Sequence, residues 1–241
     1  MTDVDPYRHH EELRGRIRPA SESYFRDLDL AEFDARVIKA GFPADWRTPC
    51  EVREADRRAW LEGRKGQDLW VFGYGSLMWD PSVEFAEVRK ARCDGYQRSF
   101  CLWDEGGRGS VAAPGLMLAL DEGGHCEGLT FRIEAGKLDH ETFVLFRREM
   151  IAPAYRPAWL ALETAHGPVE ALGFVANHAY ADIRPGIAPD VQAAMIARAS
   201  GFLGSNFDYL SDTAEHLDLL GIEDAYVAGL YAAVRELRAN R

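Results

Sequence analysis

The pattern of apolar and polar positions changes near residue 68. Before that point the chain is rich in charged residues and broken by prolines, with one modest helix predicted over Leu30–Ala40. From Leu69 onward, apolar residues recur in short runs typical of strands. We therefore predict a polar N-terminal extension over residues 1–68, packed on a core domain over residues 69–241.

The first part of the core domain is predicted to be rich in strands. In the run that ends at Ile133, Leu129 and Phe131 alternate with polar residues, which is the period of two expected of a half-buried strand. The predicted strands are Leu69–Tyr74, Phe85–Cys93, Gln97–Trp103, Leu116–Asp121 and Cys126–Ile133.

One helix, two further strands and a helical C-terminal part follow. The predictions are a helix over Lys137–Met150, strands over Ala158–Thr164 and Val169–Ala176, a helix over Pro189–Gly201, a helix from the N-cap Ser205 to Gly221, and a last helix from Ile222. Regular β–α–β alternation is absent. The order is typical of an α+β protein with a largely antiparallel sheet, open or closed, and not of a doubly wound fold.

Glu149 lies within the apolar face of the helix predicted over Lys137–Met150. At about 100° per residue, this glutamate falls between Leu138 and Phe146 on an otherwise mostly apolar arc. The charged residues predicted to point away from this arc are His140, Glu141, Arg147 and Arg148.

A carboxylate directed at a core is costly unless it is paired, bound or functional. Burial would raise the pKa of Glu149, as a general base working near neutral pH requires. The residues alone leave two interpretations open: a general base, or a structural ion pair with an arginine such as Arg98 or Arg156.

The segment "FGYGSL", residues 72–77, interrupts an apolar run with two glycines and a serine. Glycine allows positive φ and close approach of the backbone, so we predict a strand that ends in a tight turn. Successive backbone N–H groups in such a turn can form an anion-binding nest, and a purely structural turn at a barrel rim is the alternative.

Other motifs near these glycines fail on spacing. The third glycine of a dinucleotide fingerprint would fall at Met78, and a nucleophile elbow around Ser76 would need glycine at Tyr74 and Met78. The sequence "GRGSVA" from Gly107 fits GxGxxA, yet Pro114 breaks the helix that would have to follow it. Neither a nucleotide site nor a serine nucleophile is indicated.

Composition and charge limit the classes of partner. The 241 residues are 47% apolar and 28% charged with a net charge of -11, which argues against a nucleic-acid or anionic-membrane surface. The N-terminal residues lack the apolar core of a signal peptide, and no window resembles a membrane span. We therefore expect a cytoplasmic protein.

Metal and disulfide chemistry also lack support in the sequence. The four cysteines are widely spaced without a CxxC pair, and the seven histidines are scattered. Reduced structural thiols and no metal site are the expectation.

Four segments together resemble the ChaC family of γ-glutamylcyclotransferases. They are "VFGYGSLMW" at 71–79, "GRGS" followed by "PG" at 107–115, "LFRREM" at 145–150 and "ASGFLGSNFDYL" at 199–210. The resemblance covers about residues 70–221 and leaves the first 68 residues without an assigned role. One departure is the segment from Ala152 to Tyr155, "APAY", where family members often carry a glycine-rich loop, so pocket shape and substrate preference can differ.

The resemblance implies a small mixed, mostly antiparallel β-barrel surrounded by helices. It also implies cleavage of the γ-glutamyl bond of glutathione, a lyase reaction that gives 5-oxoproline and cysteinylglycine without a metal or cofactor. The glutamate that matches Glu149 would be the general acid/base. The γ-glutamyl group would be held by the turn residues Tyr74, Gly75, Ser76 and Leu77.

Further contacts to the substrate are expected from arginine and tyrosine. Arg98 and Arg108 suit the two carboxylates of glutathione, and Tyr155 and Tyr209 lie in matching segments. Two alternatives remain: a cyclotransferase for another γ-glutamyl amine or dipeptide, or a non-catalytic regulator linked to cation transport. Glutathione is the expected small-molecule partner, with no nucleic acid, membrane or obligate protein partner indicated.

Overall fold

The computed structural model describes residues 4–240 and contains a closed five-stranded barrel in the order β1-β3-β2-β4-β5. The strands are β1 (Leu69–Gly73), β2 (Glu87–Asp104), β3 (Gly115–Ile133), β4 (Tyr155–Thr164) and β5 (Val169–Ala176). Strand β1 pairs antiparallel with β3 and parallel with β5, so the barrel is mixed. This confirms the predicted α+β class and the small mixed barrel.

Six α-helices accompany the barrel within residues 4–240. They are α1 (Leu30–Lys39), α2 (Cys50–Trp60), α3 (Leu138–Glu149), α4 (Pro189–Ile196), α5 (Asn206–Leu220) and α6 (Ala225–Ala239). Short strands β6 (Ser200–Gly201) and β7 (Gly204–Ser205) form a hairpin before α5. None of the helices in this part of the chain is long and apolar enough to span a bilayer.

The chain forms two compact units. The first contains the residues up to Leu28 together with 47–97 and 120–175, and the second contains 29–46, 98–119 and 176–240. The extension predicted over 1–68 contributes to both units. The boundary predicted at residue 68 stays a prediction. Residues 1–3 of the predicted extension and residue 241 of the predicted core domain lie outside the described residues.

The core of the first unit lies between β1, β3, β5 and α3. Phe146 of α3 meets Phe174 of β5 edge-on, with ring centroids 5.6 Å apart. Burying such side chains contributes about 1.5–3 kcal/mol each to stability. The buried cluster consists of Leu61, Leu69, Val71, Leu77, Val83, Ile133, Leu138, Leu145, Phe146, Leu172 and Phe174.

In the second unit, hydrogen bonds connect a strand end to a helix. The side-chain amide of Asn206, the first residue of α5, accepts from the Leu116 N–H and donates to the Leu116 carbonyl, both at 2.7 Å. Ser205 caps α5 by accepting from the Asp208 N–H, and Gly221 ends it at φ 64°, as predicted from the sequence.

Three predictions of element bounds were wrong. Helix α2 was not predicted, and α4 ends at Ile196, before the hairpin, not at Gly201. The strands predicted on either side of Gly95 are one strand, β2, and those on either side of Gly123 and Gly124 are one strand, β3. All three glycines have positive φ, so the chain bends there while the sheet continues.

Candidate active site

The segment after β1 folds back sharply on the strand end. A Cβ on Gly73 would lie 3.0 Å from the Leu77 Cβ and 3.2 Å from the Leu77 carbonyl carbon, so a side chain here would require the turn to shift by a few tenths of an ångström. Ser76–Met78 then form a 3-10 turn closed by the Met78 N–H donating to the Gly75 carbonyl at 2.8 Å. The predicted tight turn is present, although the expected positive φ is wrong, because neither Gly73 nor Gly75 has one.

Arg148 of α3 connects this turn to Glu149. Its Nη2 donates to the Ser76 hydroxyl at 2.8 Å, and its Nε lies 3.0 Å from the Glu149 carboxylate. Its Nη1 donates to the Ser82 hydroxyl at 2.6 Å and to the Asp80 carbonyl. One guanidinium therefore holds the serine of the turn and the candidate base in a fixed relation.

Ser82 adopts an unusual backbone conformation beside this arginine. It is fully buried and is the one non-glycine residue with positive φ, 62°, among residues 4–240. Its hydroxyl donates to the Asp80 carboxylate and accepts from Ser23 and Arg148. Positive φ in a residue with a side chain costs about 1–2 kcal/mol, which these hydrogen bonds help to offset.

Residues 18–26, which we call the N-terminal strap, cover the polar side of α3 in the same unit. The Phe25 ring lies 4.3 Å from the Arg148 Cζ, and Arg18 donates to the Asp80 carboxylate at 2.8 Å. Arg26 forms a bidentate pair with Glu141, at 2.7 and 2.8 Å. The strap therefore covers the residues around the turn and provides positively charged partners for their carboxylates.

The strap corrects one sequence-based expectation. Glu141 and Arg148 were predicted to point away from the buried face of α3, yet they are only 2% and 8% exposed. The helical periodicity placed them correctly relative to the apolar arc. The periodicity did not show that this polar side is covered, because the segment that packs on it lies more than 100 residues earlier in the chain.

Burial raises the pKa of Glu149 above its ordinary value. Its side chain is 13% exposed, desolvation is the largest cause of the shift, and the nearby Asp80 charge acts in the same direction. Arg148 opposes the shift without cancelling it, because its guanidinium also donates to Ser76, Ser82 and the Asp80 carbonyl. The carboxyl therefore holds a proton to higher pH than an ordinary glutamate.

The ion-pair partner of Glu149 differs from those considered in the sequence. Arg98 pairs with Asp224 at 2.9 Å, and Arg156 lies 3.8 Å from Glu122. The partner is Arg148, the adjacent residue in the chain. Sequence reasoning missed this arginine; its one signal was its position directly before an inward-facing carboxylate.

The other predicted residues of the first unit lie near this cluster or in the core. Tyr74 is 6% exposed, with its ring centroid 6.4 Å from that of Phe72. Leu77 belongs to the buried apolar core, so only its backbone can serve a ligand. Tyr155, the first residue of β4, is partly buried against the same core.

The second unit contains the remaining three predicted residues. Arg108 has its Cζ 5.6 Å from the Tyr209 ring centroid, so these two are brought together. The Arg98 side chain is 1% exposed and is held by Asp224. The roles predicted for all three stay predictions.

No group of three or more His, Cys, Asp or Glu in the described part of the chain is arranged to hold a metal ion. All four cysteines are free, with Cys50 exposed and Cys93, Cys101 and Cys126 buried.

Comparisons with known proteins show the family of this chain. Residues 69–237 match the family described as ChaC-like protein. The chain is 38% identical over 192 residues to the glutathione-specific γ-glutamylcyclotransferase of Escherichia coli strain K12, covering 79% of this chain and 83% of that one. It is 31% identical over 189 residues to glutathione-specific γ-glutamylcyclotransferase 1 of Rattus norvegicus, covering 74% and 83%.

A solved structure supports the fold. The γ-glutamyl cyclotransferase specific to glutathione from yeast superposes with a TM-score of 0.64 at 18% identity, covering 72% of this chain and 98% of the yeast chain. At that identity the likeness concerns the fold, which is the mixed barrel with its helices. The match to more than half of the chain and the identity to the bacterial relative place this chain in the ChaC family.

Proposed function

We propose that this protein cleaves the γ-glutamyl bond of glutathione by intramolecular cyclisation and releases 5-oxoproline and cysteinylglycine. The observation that carries the proposal is the buried Glu149 carboxylate, which shares the Arg148 guanidinium with Ser76 of the turn. The activities named for the bacterial and rat relatives support the same substrate.

Glu149 is proposed as the general acid/base. Its carboxylate takes a proton from the α-ammonium of the γ-glutamyl group, and the free amine attacks the γ-carbonyl carbon of the same residue. Protonated Glu149 then gives the proton to the departing cysteine nitrogen as the γ-amide bond breaks, and the regenerated carboxylate accepts the second proton of the ring nitrogen, which passes to the free amine of cysteinylglycine. One C–N bond forms and one breaks, and water and redox chemistry are not needed, so the proposed reaction requires no cofactor.

The raised pKa of Glu149 supports both halves of this cycle. A carboxyl that titrates closer to neutral pH is a stronger base toward the ammonium and still returns its proton readily. Because the reaction is intramolecular, holding the substrate in its cyclising conformer can lower the barrier by roughly 7–11 kcal/mol.

The turn at Tyr74–Leu77 is proposed to hold the γ-glutamyl group. Its backbone N–H groups would stabilise the oxyanion of the tetrahedral intermediate, and the Ser76 hydroxyl would orient the substrate. The close approach enabled by Gly73 supports this role, since it brings backbone and not side chain to the end of the strand.

Contacts to the two substrate carboxylates are proposed for Arg98 and Arg108, with Tyr155 and Tyr209 as polar contacts. The stacking of Arg108 near the Tyr209 ring supports a joint role for that pair. Arg98 would have to share its guanidinium with Asp224, which makes it the weaker choice. We also propose a cytoplasmic location, supported by four free cysteines, because that compartment keeps thiols reduced.

The test follows 5-oxoproline release from glutathione by wild type, Glu149→Gln and the control Glu163→Gln, which changes an exposed glutamate of β4. We expect loss of turnover in Glu149→Gln alone. Undiminished turnover in that variant would refute the assignment of the base.

A panel of other γ-glutamyl amines and dipeptides separates the remaining alternatives. Faster turnover of another γ-glutamyl compound would show a cyclotransferase with a different substrate, as the stiffer "APAY" segment allows. Wild-type inactivity on every compound would favour the non-catalytic regulator.

A further inference from the structure

Two arginines at the packing of α2 on α3 have buried N–H groups without an acceptor. Arg53 of α2 is 4% exposed, and its Nη1 has no hydrogen-bond partner among residues 4–240. The Nε of Arg147 of α3 is also buried and lacks a partner in the same part of the chain. Buried cationic donors without acceptors are costly and rare in folded proteins, so this pair requires an explanation.

The register of the two helices places these arginines opposite each other. Arg57 of α2 donates to the Thr142 hydroxyl at 2.8 Å, and the Thr48 N–H, just before α2, donates to the Ile151 carbonyl at 2.9 Å. The helices therefore run antiparallel between these contacts. Arg53, one turn before Arg57, faces the part of α3 between Thr142 and Ile151, which contains Arg147.

The charges around the pair are poorly balanced. The only hydrogen-bond acceptor of the Arg53 guanidinium in the described residues is the Cys50 sulfur, 3.6 Å from its Nη2. Arg147 donates through Nη2 to the carbonyls of Phe25 and Arg26, which carry no full charge. Burial lowers the pKa of Arg147, the Arg53 charge lowers it further, and Asp27 acts in the opposite direction.

Other arginines of the same helices are compensated. Arg57, one turn away and equally buried, pairs with Glu54 and with Asp139, at 2.7 and 2.8 Å. Arg58 pairs with Glu54 at 2.7 Å. Within residues 4–240, neither Arg53 nor Arg147 has a carboxylate within ion-pair distance, so the missing negative charge is specific to this pair.

We propose that Arg53 and Arg147 form a binding site for a small oxyanion at the α2–α3 packing. An ion with several oxygen acceptors, such as inorganic phosphate or the carboxylate of a small acid, would accept from both guanidiniums at once. The burial of both donors limits the ligand to a small one. Cys50 is exposed and contacts the pair, since its sulfur lies 3.6 Å from Arg53 Nη2 and 3.3 Å from Arg47 Nη1.

The test measures thermal unfolding with increasing phosphate at constant ionic strength, balanced with chloride, and repeats it with acetate. Wild type should gain stability with a saturable dependence on phosphate, and acetate reports whether a monocarboxylate suffices. Arg53→Met and Arg147→Met should weaken the apparent affinity by roughly tenfold or more, as expected for losing a charge-assisted hydrogen bond. Arg58→Met, on the same helix with a side chain 76% exposed, should behave as wild type.

A second measurement does not depend on the stability of the variants. Cys50 is the one exposed cysteine among the described residues, so its reaction with the dianionic reagent 5,5'-dithiobis(2-nitrobenzoic acid) reports on the local charge. Phosphate should slow this reaction in wild type and leave reaction with neutral iodoacetamide unchanged. A phosphate effect that is equal for both reagents, or a thermal shift that persists in Arg53→Met, would overturn the site.

Discussion

Replacing Arg148 by methionine tests whether one guanidinium positions both the turn and the candidate base. The change removes the donors to Ser76 and Ser82 and the ion pair at 3.0 Å with Glu149. The arginine side chain is only 5% exposed, so the groups it leaves behind stay buried. Breaking a buried charged pair costs about 3–5 kcal/mol, a large part of the roughly 5–15 kcal/mol that stabilises a typical domain.

The catalytic consequence is a shift in the pH profile. Arg148 holds the pKa of Glu149 below the value that burial alone would give, so its removal raises that pKa further. An opposite charge at this distance lowers a carboxyl pKa by about one to three pH units. Without Arg148, the pH at which kcat/KM falls on the acidic side of the profile should therefore rise by a comparable amount. The maximal rate should also fall, since misplacement of a catalytic group by about 1 Å can cost roughly 100-fold.

The assay follows 5-oxoproline release between pH 5 and 9, at temperatures where circular dichroism shows each variant folded. Arg148→Lys keeps the charge without the fork of donors, so its acidic limb should stay near that of wild type while kcat falls. Arg156→Met, which removes an arginine 48% exposed, is the matched control. A folded Arg148→Met with the acidic limb of wild type would refute the positioning role.

Three further predictions concern stability. Arg26→Met leaves the 2% exposed Glu141 without its bidentate partner and should lower the free energy of unfolding by about 3–5 kcal/mol in urea titrations; a loss below about 1 kcal/mol would contradict this account of the strap. Gly221→Ala places a side chain at φ 64° and should lower the free energy of unfolding by about 1 kcal/mol. Its control, Gly229→Ala in the middle of α6, meets no atom within 4 Å and should raise the free energy of unfolding by about 0.5–1 kcal/mol. Equal melting temperatures for the two variants would exclude the left-handed cap as the cause. The stability of Glu149→Gln relative to that of wild type should rise as pH increases through and above 4.5, because a raised pKa in the folded state means that wild type loses stability as this carboxyl ionises; a difference that is constant between pH 4 and 8 would show that the folded pKa is not raised.

Helix α2 shows where sequence patterns fail in this protein. Its buried residues are Arg53 and Arg57, so its inner face carries charge where the periodicity rule looks for apolar side chains. Apart from Glu54 on the same helix, the acceptors of Arg57 lie on α3, about 80 residues later in the chain. A single sequence gives no sign that these arginines face inward, because their packing depends on tertiary contacts.

Glu149 and Arg148 are adjacent in the sequence, yet only the inward orientation of Glu149 was predictable from it. Glu149 interrupts an apolar arc of α3, which is a local pattern, and the structure leaves its side chain only 13% exposed. Arg148 lies on the polar side of the same helix, and its burial depends on Phe25 and on Ser82 in its left-handed conformation, both distant in the chain.

The two residues would supply different properties of the proposed catalytic carboxylate. Desolvation raises the pKa of Glu149, and desolvation follows from the apolar face that the sequence displays. Orientation toward the turn depends on Arg148, and Arg148 in turn is held by residues 18–26, which lie outside the segment that matches the family. If orientation governs the rate, substitutions in the strap that leave the barrel folded should lower kcat without moving KM, which makes the N-terminal extension part of the catalytic apparatus and not an appendage to it.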